Sequence, residues 1–273
     1  MSRAMTRSAR VIALASGKGG VGKTNLAVNL TLALARMGRR SMLVDCDLGL
    51  ANAAILLGLN AEVTLEDFIG GRIPLEAVVT EGPAGMLVVP GGNGIGALPL
   101  IERAERRRMA QGFRPYAETL DYMMVDAPSG ISRQTMSVVA TSDRVLLVLA
   151  GEPAAFMDAY ATLKLLTLDH GCDAIAVVTS MVDHESAGRD LFRRFRDVAA
   201  RFLPCALTHL GSIPRDEHLR AAVQAKRPLL EAYPQSRAAA AFTRLAHALD
   251  DLAMPASAGG TRFFGMEVLH AVQ

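Results

Sequence analysis

One stretch of glycines and cations in this sequence has the residue types and spacing of a phosphate-binding loop. Residues 17–24 read GKGGVGKT, which satisfies G-x-x-x-x-G-K-[ST], and they lie between an apolar run and a helical pattern. Glycines allow successive backbone N–H groups to turn inward around phosphate oxygens, and the helix that follows points its positive end at them. We therefore expect Lys23 to contact the β- and γ-phosphates and the Thr24 hydroxyl to bind Mg²⁺. The residues expected to hold the nucleotide here are Gly17, Gly19, Gly20, Val21, Gly22, Lys23, Thr24 and Asn25.

A second lysine, Lys18, lies at the mouth of the loop. From that position its side chain cannot easily reach the γ-phosphate of its own nucleotide, but it can reach one that a facing subunit holds. We therefore expect Lys18 to act together with Lys23 in catalysis across a two-fold dimer. A solvated loop lysine is the alternative explanation.

Carboxylates follow two of the predicted strands at the point where each strand ends. Asp45 and Asp47 follow the second strand, and Asp126 follows the fourth. In a doubly wound sheet this edge holds the ligand. We expect Asp47 to orient the attacking water and to lie near the metal, and Asp126 to hold Mg²⁺ through its water shell. Asp45 is expected to support Lys18 or the metal shell, and Gly130 to contact the γ-phosphate through its backbone amide.

Several stretches of the sequence resemble a known family. The run KGGVGKT at 18–24 resembles the deviant phosphate loop of the MinD/ParA class of ATPases, in which the extra lysine acts in trans. Further stretches are similar to the FlhG/FleN branch of that class, whose members regulate the number of bacterial flagella. They are DLGLAN at 47–52, LLGL at 56–59, TL at 64–65, VPGG at 89–92 and DAYA at 158–161.

The resemblance implies an ATP-dependent sandwich dimer with slow hydrolysis, and ATP, ADP and Mg²⁺ as cofactors. It also implies membrane association through a C-terminal helix and two flagellar partners, an enhancer-binding transcription activator and a signal-recognition-type GTPase. Relatives that stimulate the GTPase carry a D-Q-A-x-x-L-R element, to which Met1–Arg10 shows no match. Ser180 stands where MinD-like proteins usually place an adenine-reading asparagine, and Pro214 and Arg215 match a later loop whose backbone flanks the purine.

The sequence contains short apolar runs, each followed by a helical pattern, and these predict the strands and helices that position the site residues. The runs lack polar alternation, which is typical of parallel strands that are buried on both faces. We therefore predict a doubly wound α/β fold with a mainly parallel sheet of about seven or eight strands and helices on both faces. The predicted strands are Val11–Ala15, Ser41–Val44, Met86–Val89, Tyr122–Val125, Val145–Leu149, Ile175–Val178 and Leu207–Ile213. The predicted helices are Asn25–Arg36, Leu65–Ile69, Pro99–Gln111, Ser132–Ala140, Ala154–His170, Ala187–Phe202, Glu217–Ala225 and Ser236–Leu252.

The chain divides into a long domain and a short tail. No linker interrupts residues 1–254, which we predict to form one ATPase domain, and a Pro/Ala/Ser/Gly-rich stretch then begins a final segment, 255–273. Phe264, Val268, Leu269 and Val272 would share one side of a helix in this segment, which favours a membrane-interface role. A disordered or core-packed tail is the alternative.

The composition excludes several classes of protein. The chain has 273 residues, of which 51% are hydrophobic and 21% charged, and this excludes disordered and fibrous proteins. A net charge of +2 is too small for a protein that binds nucleic acid over its whole surface. The three cysteines lack metal-site spacing and favour a reducing compartment, and no apolar run is long enough to span a membrane. We expect a cytoplasmic protein with peripheral contact to the inner face of the cell membrane.

Other functions use the same or similar motifs. A DNA-segregating ParA-like ATPase or a division-positioning MinD-like ATPase would share the loop, and the arginines among residues 103–108 could contact DNA, although neighbouring glutamates disfavour this. A small-molecule kinase would transfer the γ-phosphate to an acceptor. A dinucleotide-dependent oxidoreductase would use the G-x-G-x-x-A stretch at 92–97, but the acid that it needs on the next strand, Asp126, already belongs to the phosphate site.

Overall fold

The sheet carries eight strands within the residues that the structure describes. A computed structural model describes residues 8–48, 52–92 and 103–253. The strands are β1 (Arg10–Ala15), β2 (Ser41–Asp45), β3 (Thr80–Glu81), β4 (Leu87–Val89), β5 (Tyr122–Asp126), β6 (Arg144–Ala150), β7 (Ile175–Val182) and β8 (Leu207–Pro214). Their order is β3-β4-β2-β5-β1-β6-β7-β8, and every neighbouring pair is parallel except β3 with β4.

The predicted doubly wound fold is confirmed. All seven predicted strands are present with slightly shifted ends, and the edge strand β3 completes the sheet. β3 has only two residues and pairs through Thr80 and Glu81 with β4, which is too short a run to leave an apolar pattern in the sequence.

Helices cover both faces of the sheet. They are α1 (Lys23–Arg36), α2 (Asn52–Leu56), α3 (Leu65–Ile69), α4 (Leu75–Val78), α5 (Arg103–Ala117), α6 (Arg133–Ala140), α7 (Pro153–Leu168), α8 (Glu185–Ala199), α9 (Glu217–Gln224), α10 (Leu229–Ala232) and α11 (Arg237–Asp251). The eight predicted helices are all present, although residues 99–102 of the predicted helix Pro99–Gln111 lie outside the described residues. The short helices α2, α4 and α10 have one turn or little more each, and the sequence pattern did not predict them.

Two apolar cores lie on opposite faces of the sheet. Helices α3 to α8 pack on one face, and α1, α2 and α9 to α11 pack on the other. In β1, Val11 and Ala13 point into the first core while Ile12 and Leu14 point into the second, and all four side chains are fully buried. This two-sided burial explains why the strands read as continuous apolar runs.

The strand order creates a crevice at the carboxyl edge of β1. β1 lies between β5 and β6, so the chain moves away on one side after β1 and returns to the other side after β5. In such a sheet the ligand site lies at this reversal. The register sets Asp126 beside both Asp45 and Leu14, which brings the ends of three strands to one place.

Residues 1–7, 49–51, 93–102 and 254–273 lie outside the described residues. Predictions for 255–273 and for most of the G-x-G-x-x-A stretch at 92–97 therefore keep the status of sequence predictions. Among the described residues, none of the helices is both long and apolar enough to cross a membrane.

Candidate functional site

The phosphate loop turns directly from β1 into α1. Gly20 and Gly22 adopt φ values of 81° and 90°, a left-handed region that favours glycine. Gly22 is the N-cap of α1, and within the described chain no side chain caps this helix and no acidic residue lies in its first turn. The positive end of α1 therefore faces no carboxylate of its own first turn, which favours an anionic ligand there.

One loop glycine is packed too closely to carry a side chain, because a Cβ at Gly17 would lie 2.2 Å from the carbonyl oxygen of Asp158 in α7. A Cβ at Gly22 would lie 3.3 Å from Ser180 Oγ, which is tight but not excluded. Gly19 is different, because a Cβ there would meet nothing within 4 Å. Gly17 therefore packs the base of the loop against α7, whereas Gly19 lies at the open mouth of the loop.

A buried ion pair lies at the centre of the site. Lys23 Nζ donates to Asp126 Oδ1 at 2.6 Å, and the two side chains are 5% and 0% exposed. Asp126 Oδ2 is also buried and has no hydrogen-bond partner among the described residues. An orphaned carboxylate oxygen at this position suits a water of a Mg²⁺ shell, and Thr24 follows Lys23 in the first turn of α1, so the residues fit the predicted metal.

Asp45 contacts backbone N–H groups, which the sequence did not predict. Its carboxylate accepts hydrogen bonds from the backbone N–H groups of Asp47 at 3.0 Å and Ala53 at 3.1 Å, so it ties the end of β2 to α2. Burial, followed by the nearby charge of Asp126, raises the pKa of Asp45 to about 8. These bonds give Asp45 a structural role at the end of β2, and its expected support of Lys18 or the metal shell stays a prediction.

The segment after β2 is fixed by a close approach of two backbones. A Cβ at Gly91 would lie 2.7 Å from the Asp47 carbonyl oxygen, and one at Gly92 would lie 2.1 Å from that of Leu48. The VPGG stretch thus holds the partly buried Asp47 at the carboxyl edge. The residues after Leu48, up to Ala51, lie outside the described part of the chain.

The second loop of the site closes on the first. The backbone N–H of Gly130 donates to the Ser16 carbonyl at 2.9 Å, and Gly130 has a φ of 96°. The amide that was predicted to contact the γ-phosphate is therefore engaged by β1's own loop, and it must exchange partners to bind phosphate.

Lys18 extends away from this buried centre. Its side chain is 45% exposed, and its Nζ lies 3.5 Å from Glu152 Oε2 at the start of α7. Lys18 and Lys23 thus occupy opposite environments, one at the surface and one buried with a carboxylate.

The predicted base-side residues lie at the ends of β7 and β8. Ser180 is 6% exposed and faces Gly22, and the following Met181 has a φ of 57°, where the register between β7 and β8 slips. The Arg215 N–H donates to the Val182 carbonyl at 2.8 Å, which joins this end of β7 to the Pro214–Arg215 loop.

A comparison of sequences places this geometry in a family. A sequence profile of the family described as "ParA: NUBPL iron-transfer P-loop NTPase" matches residues 7–250. The chain belongs to this ParA family of P-loop NTPases. The predicted membership in the MinD/ParA class is thereby confirmed.

Individual ParA-family relatives resemble most of the chain. The antiactivator FleN of Pseudomonas aeruginosa is 43% identical over 260 residues, which cover 95% of this chain and 93% of FleN. The flagellum site-determining protein YlxH of Helicobacter pylori is 30% identical over 226 residues, which cover 82% of this chain and 76% of YlxH. Among solved structures, the septum site-determining protein MinD of Pyrococcus horikoshii, complexed with Mg-ADP, superposes with a TM-score of 0.72 at 27% identity and covers 89% of this chain and 96% of its own. The predicted likeness to the FlhG/FleN branch is confirmed.

Three contacts at this site were not predicted from the sequence. The ion pair of Glu152 with Lys18, the contact of Gly17 with Asp158 and the position of Met181 beside Gly22 all depend on tertiary approach. Only the DAYA stretch, which contains Asp158, gave a signal, and it did so through resemblance. Among the described residues, no group of three or more His, Cys, Asp or Glu side chains could hold a metal ion alone.

Proposed function

We propose that this protein is a Mg²⁺-dependent ATPase switch that closes into a two-fold dimer around ATP and regulates flagellar number and flagellar gene expression. The observation that carries the proposal is the contrast between two lysines of one loop. Lys23 is buried in its own phosphate site, whereas Lys18 is exposed at the mouth of that site. The likeness to FleN and YlxH supports the flagellar role.

The residues of one protomer bind and orient the nucleotide. The backbone N–H groups of residues 19–25 surround the phosphates, and Lys23 moves its charge from Asp126 toward the β- and γ-phosphate oxygens. Thr24, Asp126 and Asp47 would hold Mg²⁺ directly or through water. Bound Mg²⁺ would neutralise charge that develops on the phosphates. Ser180, Pro214 and Arg215 flank the base.

Hydrolysis needs a water that is oriented at the γ-phosphate. Asp47 lies at the carboxyl edge, partly buried, and its backbone is held by Gly91. It accepts a hydrogen bond from that water and aligns it for attack. Gly130 leaves the Ser16 carbonyl and donates to the γ-phosphate, so that only ATP brings the loop after β5 into its closed position.

Lys18 completes the site of the facing protomer. Its ammonium reaches the phosphates across the two-fold axis and stabilises negative charge in the transition state, as a cation supplied in trans does in other nucleotide hydrolases. Each protomer alone therefore lacks one cation, which makes hydrolysis slow and dependent on dimerisation.

The ATP-bound dimer also binds its partners and the membrane. The dimer presents a surface to a flagellar transcription activator of the enhancer-binding type, and the signal-recognition-type GTPase is a second candidate. The segment 255–273 supplies peripheral membrane contact, which two copies strengthen in a dimer. DNA is the less favoured ligand, because Arg108 of the arginine-rich helix α5 instead donates to the Ile69 carbonyl.

The test compares Lys18→Ala with the wild-type chain. We expect the variant to bind ATP with nearly wild-type affinity in calorimetry, but to lose self-association with a nonhydrolysable ATP analogue and to lose ATP turnover. ADP serves as the control ligand and should leave both proteins monomeric. Unchanged self-association and turnover in Lys18→Ala would contradict the proposal.

A further inference from the structure

The end of β7 carries a bulge beside the phosphate loop. The register between β7 and β8 slips between Ser180 and Val182, and Met181, the residue between them, has a φ of 57°. A methionine rarely adopts this left-handed region, because its Cβ crowds the backbone there. Bulges next to active sites re-aim side chains, and a costly backbone conformation at a ligand site points to a functional role.

The bulge turns two consecutive side chains toward the phosphate loop. In a regular strand, neighbouring side chains point to opposite faces of the sheet, so Ser180 and Met181 would diverge. Instead, a Cβ at Gly22 would lie 3.3 Å from Ser180 Oγ and 4.0 Å from Met181 Cε. Both side chains therefore lie over the start of α1. Ser180 is 6% exposed, whereas Met181 is only partly buried, so the thioether is more open to a ligand than the serine hydroxyl.

Met181 also lies between the two parts of the nucleotide site. On one side is Gly22, which belongs to the phosphate loop and is the N-cap of α1. On the other side, the Arg215 N–H donates to the Val182 carbonyl at 2.8 Å, so the residue after Met181 is tied to the base-side loop. A side chain between these two loops meets the part of a nucleotide that lies beyond its phosphates.

We propose that the bulge aims Met181 at the purine of the bound nucleotide, so that its thioether packs against the ring. The inference rests on the proposed nucleotide binding. A thioether is polarizable and makes favourable contacts with aromatic rings, and the flexible methionine side chain adapts to the ring that it meets. Met181 is thus a base-contacting residue that supplies affinity for the nucleotide without a directed hydrogen bond.

The expected effect is moderate, because one sulfur–aromatic contact is weak. Its loss corresponds to about two- to tenfold in affinity. Met181→Ala removes the thioether but keeps a Cβ on the same left-handed backbone, so ADP should bind about two- to tenfold more weakly. Met181→Leu conserves the apolar volume and should recover most of the lost affinity.

The experiment measures binding to the full chain by calorimetry with Mg²⁺, using ADP and ribose 5-diphosphate, which is ADP without its adenine. Met109→Ala is the matched control, because Met109 is also a partly buried methionine but packs on the core at the opposite face of the sheet from α1. We expect Met181→Ala to bind ADP more weakly than wild type and ribose 5-diphosphate equally well. Met109→Ala should match wild type with both ligands.

The outcomes separate the two claims. If Met181→Ala binds ADP as wild type does, or loses affinity for ribose 5-diphosphate by the same factor, the contact with the purine is overturned while the proposed ATPase switch stands. A Met181→Leu protein that binds ADP as weakly as Met181→Ala overturns it too. If wild type binds neither ADP nor a nonhydrolysable ATP analogue, the proposed function fails and the role of Met181 falls with it. Thermal unfolding of each variant checks that the fold is intact.

Discussion

At the scale of single residues, the ion pair of Lys23 and Asp126 is the central interaction of the phosphate site. Both side chains are almost fully buried and their atoms meet at 2.6 Å. Removal of one partner from a buried pair leaves an uncompensated charge, which costs about 3–5 kcal/mol. We therefore expect Lys23→Met to lower the free energy of unfolding of the nucleotide-free protein by about that amount, as measured by urea unfolding.

The same substitution at the neighbouring lysine is the control. Lys18 is exposed and its ion pair is a surface pair, so Lys18→Met should change the free energy of unfolding by less than about 1 kcal/mol. Equal losses in the two variants would show that Lys23 is not paired in a low-dielectric interior.

Individual side chains could be predicted from the sequence where a motif dictates their chemistry. Lys23, Thr24 and Asp126 are examples, since loop spacing and strand ends place them at one edge. Asp45 could not be assigned, because its role depends on N–H groups of Asp47 and Ala53 that only the fold brings near. The left-handed backbone of Met181 could not be predicted either, because methionine has no preference for that region.

At the scale of elements, the contact between α7 and the phosphate loop is the feature most open to test. Gly17→Ala would place a Cβ 2.2 Å from the Asp158 carbonyl oxygen, which is backbone and cannot rotate away. We expect the loop or α7 to shift, with a loss of about 1–3 kcal/mol in folding stability and weaker ADP binding in calorimetry.

Gly19→Ala provides the comparison for stability. A Cβ at Gly19 meets nothing within 4 Å, so the nucleotide-free variant should unfold at nearly the wild-type temperature. A Gly17→Ala protein as stable as Gly19→Ala would contradict the close contact of α7 with the loop.

The length of a strand or helix decides whether its sequence pattern predicts it. The seven apolar strands and the longer helices have enough residues to show a period, whereas β3 and the helices α2, α4 and α10 do not. The short elements exist because tertiary packing holds them: Leu229 and Leu230 of α10 are buried, and the Leu230 N–H donates to Asn29 Oδ1 at 3.1 Å.

At the scale of the whole molecule, the carboxyl and amino edges of the sheet have different contacts. The carboxyl edge holds the phosphate loop, Asp126 and Lys18. At the amino edge, Arg144 begins β6 and donates to the Ala253 carbonyl at 2.6 Å, and Asp250 near the end of α11 accepts from Tyr122 at 2.9 Å. Residues 250–253 therefore lie at the edge opposite the phosphate loop, and the proposed dimer, which would close at the carboxyl edge, would leave this edge accessible.

The central claim is that each active site takes one cation from its twin, and mixed dimers test it most directly. Lys18→Ala lacks the donated cation but keeps its own Asp47, whereas Asp47→Ala lacks the water-orienting carboxylate but can still donate Lys18. Each variant alone should be inactive. A mixed dimer has one complete site of its two, built from Asp47 of the Lys18→Ala protomer and Lys18 of the Asp47→Ala protomer, so the mixture should regain ATP turnover, up to about half of the wild-type rate. Turnover in the mixture that equals the sum of the two separate variants would contradict the claim.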